Sequence, residues 1–374
     1  MKIQRLGQLT GVALVGTLAL TACGSDNNAS PAAGGTASGS SSSVACGKGT
    51  LNGEGSSAQK NAIEQAISDF QDQCSGSTIN YNPTGSGAGI KQFIAGQVDW
   101  AGSDSALKDQ PAAGSSQAEM AQAKAKCGSD AWNIPMVTGP IAVSYNVSGV
   151  DKLILTPDVT AKIFLGQITK WNDPAIAKVN PGVKLPATAI KVFFRSDESG
   201  TTENFTKYLA AAAPKVWTAA PGKKWTGKGE GKEKTAGVAG AVKSTEGGIT
   251  YAEWSAAKDN GLSMAQVDNG AGPVELSGDS AGKAVAAAKQ VGEGNNIKLS
   301  LDYTTKQAGA YPIVLVTYEI VCSKGKDPAK VALTKAFLKQ FSSPEQQKAL
   351  EAIGYAPLPA DVATKVSTAI NALS

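Results

Sequence analysis

Three short segments of this chain share one layout: a turn of glycine, serine or threonine that leads straight into an amphipathic helical pattern. They are Gly55-Ser56-Ser57, Gly85-Ser86-Gly87-Ala88-Gly89 and Ser199-Gly200-Thr201-Thr202. A helix start exposes unpaired N–H groups and the positive end of the helix dipole. Small residues let an anion approach that backbone, and hydroxyls add further donors. One such segment alone is an ordinary helix cap. Three in one chain fit a single tetrahedral oxyanion held by several helix N-termini. Arg195 stands four residues before Ser199, and its guanidinium fork suits phosphate-like oxygens. Asp104 ends the run Asp99-Trp100-Ala101-Gly102-Ser103-Asp104. An ionised carboxylate only accepts hydrogen bonds. Beside an anion it therefore favours one that still carries a proton, holding protonated phosphate and repelling sulfate.

Composition removes most alternatives. The chain of 374 residues contains no histidine, which excludes Ser-His-Asp and Cys-His catalysis, imidazole-ligated metal sites and a histidine pH switch. No catalytic residue, metal site or cofactor is expected. Gly278-Asp279-Ser280-Ala281-Gly282 has the spacing of a nucleophile elbow but lacks its base, and it reads as a loop before a helix. The stretch 222–229 approaches a phosphate-binding loop, but Gly229 stands where Ser or Thr is required. Formal net charge is +4. Without Lys2 and Arg5 it falls to +2, too weak a balance to point to nucleic acid. Charged residues at 18% and apolar residues at 42% fit neither a disordered chain nor a polytopic membrane protein.

Residues 1–22 read as an export signal. Lys2 and Arg5 precede a short apolar run over 11–20, too short to span a bilayer. It ends in Leu20-Thr21-Ala22-Cys23, which resembles a bacterial lipobox, so Cys23 is expected to carry lipid. Residues 23–45, almost all Gly, Ser, Ala, Asn and Thr after Cys23, then form a tether that cannot bury a core. Four cysteines remain, Cys46, Cys74, Cys127 and Cys322, an even number that in an exported chain suggests two disulfides with three possible connectivities. Cys46 and Cys74 each precede a strand, and neighbouring parallel strands would bring them together. That favours Cys46–Cys74 and Cys127–Cys322. Zinc would need a CxxC pair, which is absent.

The elements that must position these residues alternate between strand-like and helical runs. Ala58–Phe70 places Ala62, Ile63, Ala66, Ile67 and Phe70 on one stripe, and Ile90, Phe93 and Ile94 begin another. Val192-Phe193-Phe194 reads as a buried strand, followed by a helix with Phe205, Tyr208, Leu209 and Ala212 on one face. Ile313–Val321 is a long β-branched strand, and helices follow around Ala329–Phe341 and Pro344–Ile353. The alternation predicts an α/β fold with mainly parallel sheets. Residues 218–248, rich in Gly and Lys, read as an exposed excursion.

The stretches GEGSSAQ (53–59), TGSGAGIKQFIAGQVDWAGSD (84–104), FLGQITKWNDP (164–174), FRSDESGTT (194–202), GGITYAEW (247–254) and GYAPLP (354–359) resemble the phosphate-binding lipoproteins of bacterial high-affinity ABC phosphate importers, in their actinobacterial form. The resemblance covers nearly all of the chain after the tether. It implies a two-lobed periplasmic-binding-protein fold, each lobe a mainly parallel sheet flanked by helices, with the ligand in the cleft. Lobe I would be 46–147 plus 311–374 and lobe II 148–310, with crossings near Ile134–Asn146 and Ala310–Pro312. It further implies phosphate contacts from Ser57, the Ala58 N–H, Ser86 and Asp104 on one lobe, and from Arg195, Ser199, Gly200 and Thr201 on the other. Where this chain has Ser57-Ala58, the family often has Thr and an aromatic residue. The implied role is a receptor, lipid-anchored on the outer face of the cell membrane, that passes inorganic phosphate to ABC permease subunits. A receptor for sulfate or molybdate, or an exported phosphoesterase, is the alternative.

Overall fold

In chain order β1 (Gly49–Gly55), α1 (Lys60–Gln73), β2 (Ser77–Asn82), α2 (Ser86–Ile94) and β3 (Trp100–Ser103) come first in the computed structural model, which describes residues 46–112 and 114–374. Cys23 and the tether lie outside the described residues. Next are α3 (Glu119–Cys127), the long β4 (Ala131–Asn146), β5 (Ile154–Leu155), α4 (Pro157–Phe164), α5 (Pro174–Val179) and β6 (Lys191–Arg195). They are followed by α6 (Gly200–Ala212), β7 (Glu230–Lys232), α7 (Lys234–Lys243), β8 (Gly248–Glu253) and α8 (Trp254–Asn260). Short β9 (Ser263–Met264), β10 (Gln266–Asp268), β11 (Pro273–Val274), α9 (Gly278–Ala286), β12 (Lys289–Gln290) and β13 (Leu299–Ser300) lead to β14 (Val314–Cys322). The chain closes with α10 (Pro328–Phe341), α11 (Pro344–Ala352) and α12 (Ala360–Ala372).

The main sheet runs in the order β2-β1-β3-β14-β4-β8-β6-β7, with β9 paired to β4. It is parallel toward both ends, where β1 lies between β2 and β3 and where β6 lies between β7 and β8. In the middle it is antiparallel, because β14 and β4 run against their neighbours. The expected α/β fold is therefore present, with a mixed sheet. β4 joins its two halves: Ala131–Pro140 pairs with β14, and Ile141–Asn146 pairs with β8. The sequence of β14, Val-Leu-Val-Thr-Tyr-Glu-Ile-Val-Cys, suits a strand covered on both faces. Glu319 is its one ionisable carboxyl and is fully buried.

Helices cover the sheet with the stripes that the sequence marks. α1 buries Ala62, Ile63, Ala66 and Phe70, and Ile67 sits half-buried at the stripe's edge. Phe70, Trp100, Phe337 and Phe341 share one core cluster, and Phe164, Phe205, Trp217 and Tyr251 share another. Cys46 bonds Cys74, tying the segments that enter the parallel pair β1 and β2. Cys127 bonds Cys322, joining the ends of α3 and β14.

Three local expectations are corrected. Residues 218–248 are not simply an exposed excursion. They supply α7, whose Val238, Ala239 and Val242 are buried, and Trp225, which lies 5.2 Å from Tyr251 between ring centroids. The lysines mask an apolar helical stripe that begins only at Thr235. In β6 only Phe193 of the three apolar residues is fully buried, since the strand is flanked by the three-residue β7 and by a two-residue pairing with β8. Gly278–Gly282 is the first turn of α9 itself, because Ser277 caps it through the N–H of Ser280 at 3.1 Å.

Candidate anion-binding site

β1 ends at Gly55, where φ is +144° and a Cβ would fall 2.0 Å from the Gly102 carbonyl oxygen. Only glycine permits this close crossing of β1 and β3. The chain then turns toward α1, and the Ser56 N–H donates to the same carbonyl at 2.8 Å. Ser56 Oγ donates to Asp104 Oδ1 at 2.5 Å and accepts the Ala58 N–H at 3.1 Å. Asp104 follows β3 and is 3% exposed. Ser86, the first residue of α2, donates to Asp104 Oδ2 at 3.1 Å and accepts the Asp104 N–H at 3.1 Å. Thr317 of β14 donates to Asp104 Oδ1 at 2.8 Å. Burial pushes the Asp104 carboxyl up to about 6, Glu253 adds to the rise, and the hydroxyls of Ser56 and Thr317 and the charge of Arg195 restrain it.

The opposing wall is built on β6, α6 and α7. Arg195 ends β6 and is 2% exposed. Its Nε donates to Asp197 Oδ1 at 2.7 Å and its Nη2 to Asp197 Oδ2 at 2.5 Å, a bidentate pair that fixes the plane of the guanidinium. Its Nη1 donates to Thr235 Oγ1 at 3.2 Å. Burial raises the Asp197 carboxyl, but Arg195 outweighs it and holds Asp197 below the ordinary carboxylate range. Thr235 in the first turn of α7 also meets Ser57, with Ser57 Oγ and Thr235 Oγ1 3.1 Å apart and the Thr235 N–H donating to Ser57 Oγ at 3.3 Å.

The start of α6 completes the arrangement. Ser199 caps the helix by accepting the Thr202 N–H at 3.2 Å. Thr201 donates to Glu253 at the end of β8. A Cβ on Gly200 would lie 2.6 Å from Asp104 Cβ and 2.7 Å from Ser86 Oγ. The backbone of α6 thus comes directly against the pair from the other wall. Asn204, one turn on, donates to the Asp104 carbonyl at 2.7 Å.

All eight anticipated residues gather in this region, but their side chains are not equally open to a ligand. Asp104, Ser86 and Gly200 meet directly, and Ser57 reaches Arg195 through Thr235. The Ala58 N–H is engaged by Ser56, the Ser199 hydroxyl by its own helix, and the Thr201 hydroxyl by Glu253.

A family model described as a PBP superfamily domain matches residues 40–345. Phosphate-binding protein PstS 3 of Mycobacterium leprae (strain TN) is 46% identical over 380 residues, covering 100% of both chains. Phosphate-binding protein PstS 2 of Mycobacterium tuberculosis (strain ATCC 25618 / H37Rv) is 43% identical over the same span, again 100% of both chains. This chain belongs to the PstS phosphate-binding proteins of the PBP superfamily. Its fold is also that of more distant solved structures. PfluDING, a high-affinity periplasmic phosphate-binding protein solved with phosphate, superposes at TM-score 0.69 with 21% identity, over 86% of this chain and 93% of that chain. A phosphate binding protein from Stenotrophomonas maltophilia gives TM-score 0.65 at 20% identity, over 86% and 93%.

Within this PstS chain, sequence reasoning missed Ser56, Asp197, Thr235, Glu253 and Thr317. Asp197 carried a signal, since a carboxylate two residues after an arginine at a strand end can fold back on the guanidinium. Ser56 stood in the segment already singled out, but spacing did not decide which serine faces Asp104. Thr317 and Glu253 arrive through strand pairing across more than a hundred residues, and Thr235 lay in the stretch read as exposed.

Proposed function

We propose that this chain is an extracytoplasmic receptor that binds inorganic phosphate in the site between Asp104 and Arg195 and delivers it to the permease subunits of an ABC importer. The observation that carries the reading is the pairing of a buried, hydroxyl-held carboxylate with a buried, pre-oriented guanidinium, in a chain that matches PstS proteins end to end. Arg195 supplies the positive charge, Ser57 and the start of α6 supply donors, Ser86 adds a contact beside Asp104, and Asp104 accepts a hydrogen bond from the proton that phosphate keeps. Residues 46–147 with 311–374 act as one lobe and 148–310 as the other, closing on the anion from two sides. Cys23, outside the described residues, carries the lipid that tethers the protein to the outer face of the membrane. Among the described residues no helix is long and apolar enough to cross a membrane. The chain acts as a carrier without turnover.

Calorimetric titration with phosphate and with sulfate tests the reading. One phosphate per chain and much weaker sulfate binding are expected. Preferential sulfate or molybdate binding would reassign the ligand, and steady hydrolysis of a chromogenic phosphate ester would make the protein a phosphoesterase.

A further inference from the structure

Directly behind Asp104 lies a second carboxyl that the anion site does not use. Glu319 of β14 pairs in register with Gly102 of β3, so the two residues face the same side of the sheet. Along β3, Trp100, Gly102 and Asp104 alternate onto one face. Along β14, Glu319 stands two residues from Thr317, which donates to Asp104. Gly102 leaves room on this face: a Cβ there would fall 2.1 Å from Gln59 Nε2 and 2.4 Å from the Tyr81 hydroxyl. Glu319 therefore sits among Gln59, Tyr81 and Trp100.

This cluster grips the first anion-binding turn. Gln59 follows Ala58 and occupies the cap position of α1. Its Nε2 donates to Tyr81 Oη at 3.0 Å, and Tyr81 Oη donates to the Ser56 carbonyl at 2.9 Å. Gln59 and Trp100 turn side-chain N–H groups toward the Glu319 carboxyl and restrain its rise. Gln59 Oε1 is buried with no donor. Ionised, Glu319 can only accept and leaves that oxygen unmatched. A proton on Glu319 offers it a donor and removes a buried charge with no cation in contact.

The groups that act on Glu319 agree with this. Tyr81 faces it from β2, Asp104 from the end of β3, and Glu54 of β1 acts on the same Tyr81. On its other side, β4 places Ile134 opposite it. Each ionisable neighbour is an acid. Burial pushes the Glu319 carboxyl up to about 8, and Asp104 adds to the rise against Gln59 and Trp100.

We propose that Glu319 is a positioning residue of the anion site, a neutral acid that braces the Ser56–Gln59 turn and, on losing its proton, weakens anion binding by placing a second negative charge behind Asp104. The inference rests on the anion-receptor reading. Linkage makes the effect reciprocal: whatever factor ionisation removes from anion affinity, bound anion must impose on proton release from Glu319.

The test is calorimetric titration of inorganic phosphate into the full folded chain and its Glu319→Gln variant at pH 7 and pH 9. Glutamine keeps the shape and donor of the protonated acid but cannot ionise. Phosphate speciation is common to both proteins and cancels in their ratio. The parent is expected to lose about tenfold in affinity relative to the variant between the two pH values. Parallel pH profiles would overturn the proposal while leaving the receptor reading intact, whereas failure of the parent to bind phosphate at either pH would overturn the receptor reading. Infrared spectra of the parent give a second readout that needs no variant to fold. A protonated carboxylic acid C=O stretch should persist at pH 7.5 and disappear by pH 9, and its absence at pH 7.5 would overturn the proposal.

Discussion

On the proposed reading Asp104 is a carboxylate set beside a bound anion, and its surroundings show how that is tolerated. Three hydroxyls donate to it, from Ser56, Ser86 and Thr317, and they fix where its remaining acceptor capacity points. An anion with no proton would set oxygen against oxygen in a dry cleft. A site built around one hydrogen bond rejects a ligand lacking it by ~10⁴-fold or more. Asp104→Asn offers an amide donor of nearly the same shape, so the variant should accept sulfate measurably better than the parent. Competition titration of phosphate and sulfate on both proteins at one pH and salt checks this. An unchanged preference would make Asp104 a structural residue.

At the scale of elements, the N-terminus of α6 owes its close approach to one glycine. Gly200→Ala would press a methyl group into Asp104 and Ser86, where the Cβ distances of 2.6 and 2.7 Å are too short for any side chain. Overpacking of this kind costs about 1–3 kcal/mol. Phosphate affinity should fall by tenfold or more while the far-ultraviolet dichroism stays that of the parent. Parent-like affinity would show that α6 does not close against Asp104 in the bound state.

The same helix carries Glu203, which is 2% exposed and ion-paired to Lys108 and to Lys207, the latter at 2.8 Å. Burial raises its carboxyl, but Lys207, Lys108 and Lys223 together hold it down at about 2. A lowered carboxyl adds stability above the ordinary glutamate range, and that stability is lost as pH falls toward 2. Lys108 and Lys207 are partly exposed, so solvent screening limits the contribution to about 1 kcal/mol. Glu203→Gln should therefore be less stable than the parent at pH 6 and no less stable at pH 2, as measured by denaturant unfolding. An equal deficit at both pH values would mean that packing, not charge, is what Glu203 contributes.

On the scale of the whole molecule, the contacts that surround the site join residues far apart in sequence. The Gly87 N–H donates to the Glu198 carbonyl at 2.9 Å, Lys91 pairs with Glu198 at 2.6 Å, and Ser57 meets Thr235. A ligand that needs both walls stabilises the arrangement in which both are present. Phosphate should accordingly compact the folded part of the chain. Small-angle scattering of phosphate-stripped and phosphate-loaded protein should show a smaller radius of gyration with ligand. An identical radius in both states would place the whole site on one wall or make the closed form permanent.

Much of this was legible in the chain itself. The absence of histidine, the three small-residue turns before helices, and the positions of Arg195 and Asp104 depend only on residue type and local spacing. So do the apolar stripes of α1, α2 and α6, because helix periodicity is a property of neighbouring residues. Which hydroxyls hold Asp104 was not legible. Ser56 and Ser57 are adjacent and chemically equal, and only the turn after Gly55 aims one at Asp104 and the other at Thr235. Thr317 and Glu319 are ordinary members of a β-branched run until the register of β14 against β3 sets them beside Asp104. Thr235 lay in a lysine-rich stretch whose composition suggested solvent, yet α7 packs it between Ser57 and Arg195. Local sequence determined which elements form and which residues could bind an anion. Strand order and register, which depend on contacts between distant parts of the chain, decided which of those residues face one another.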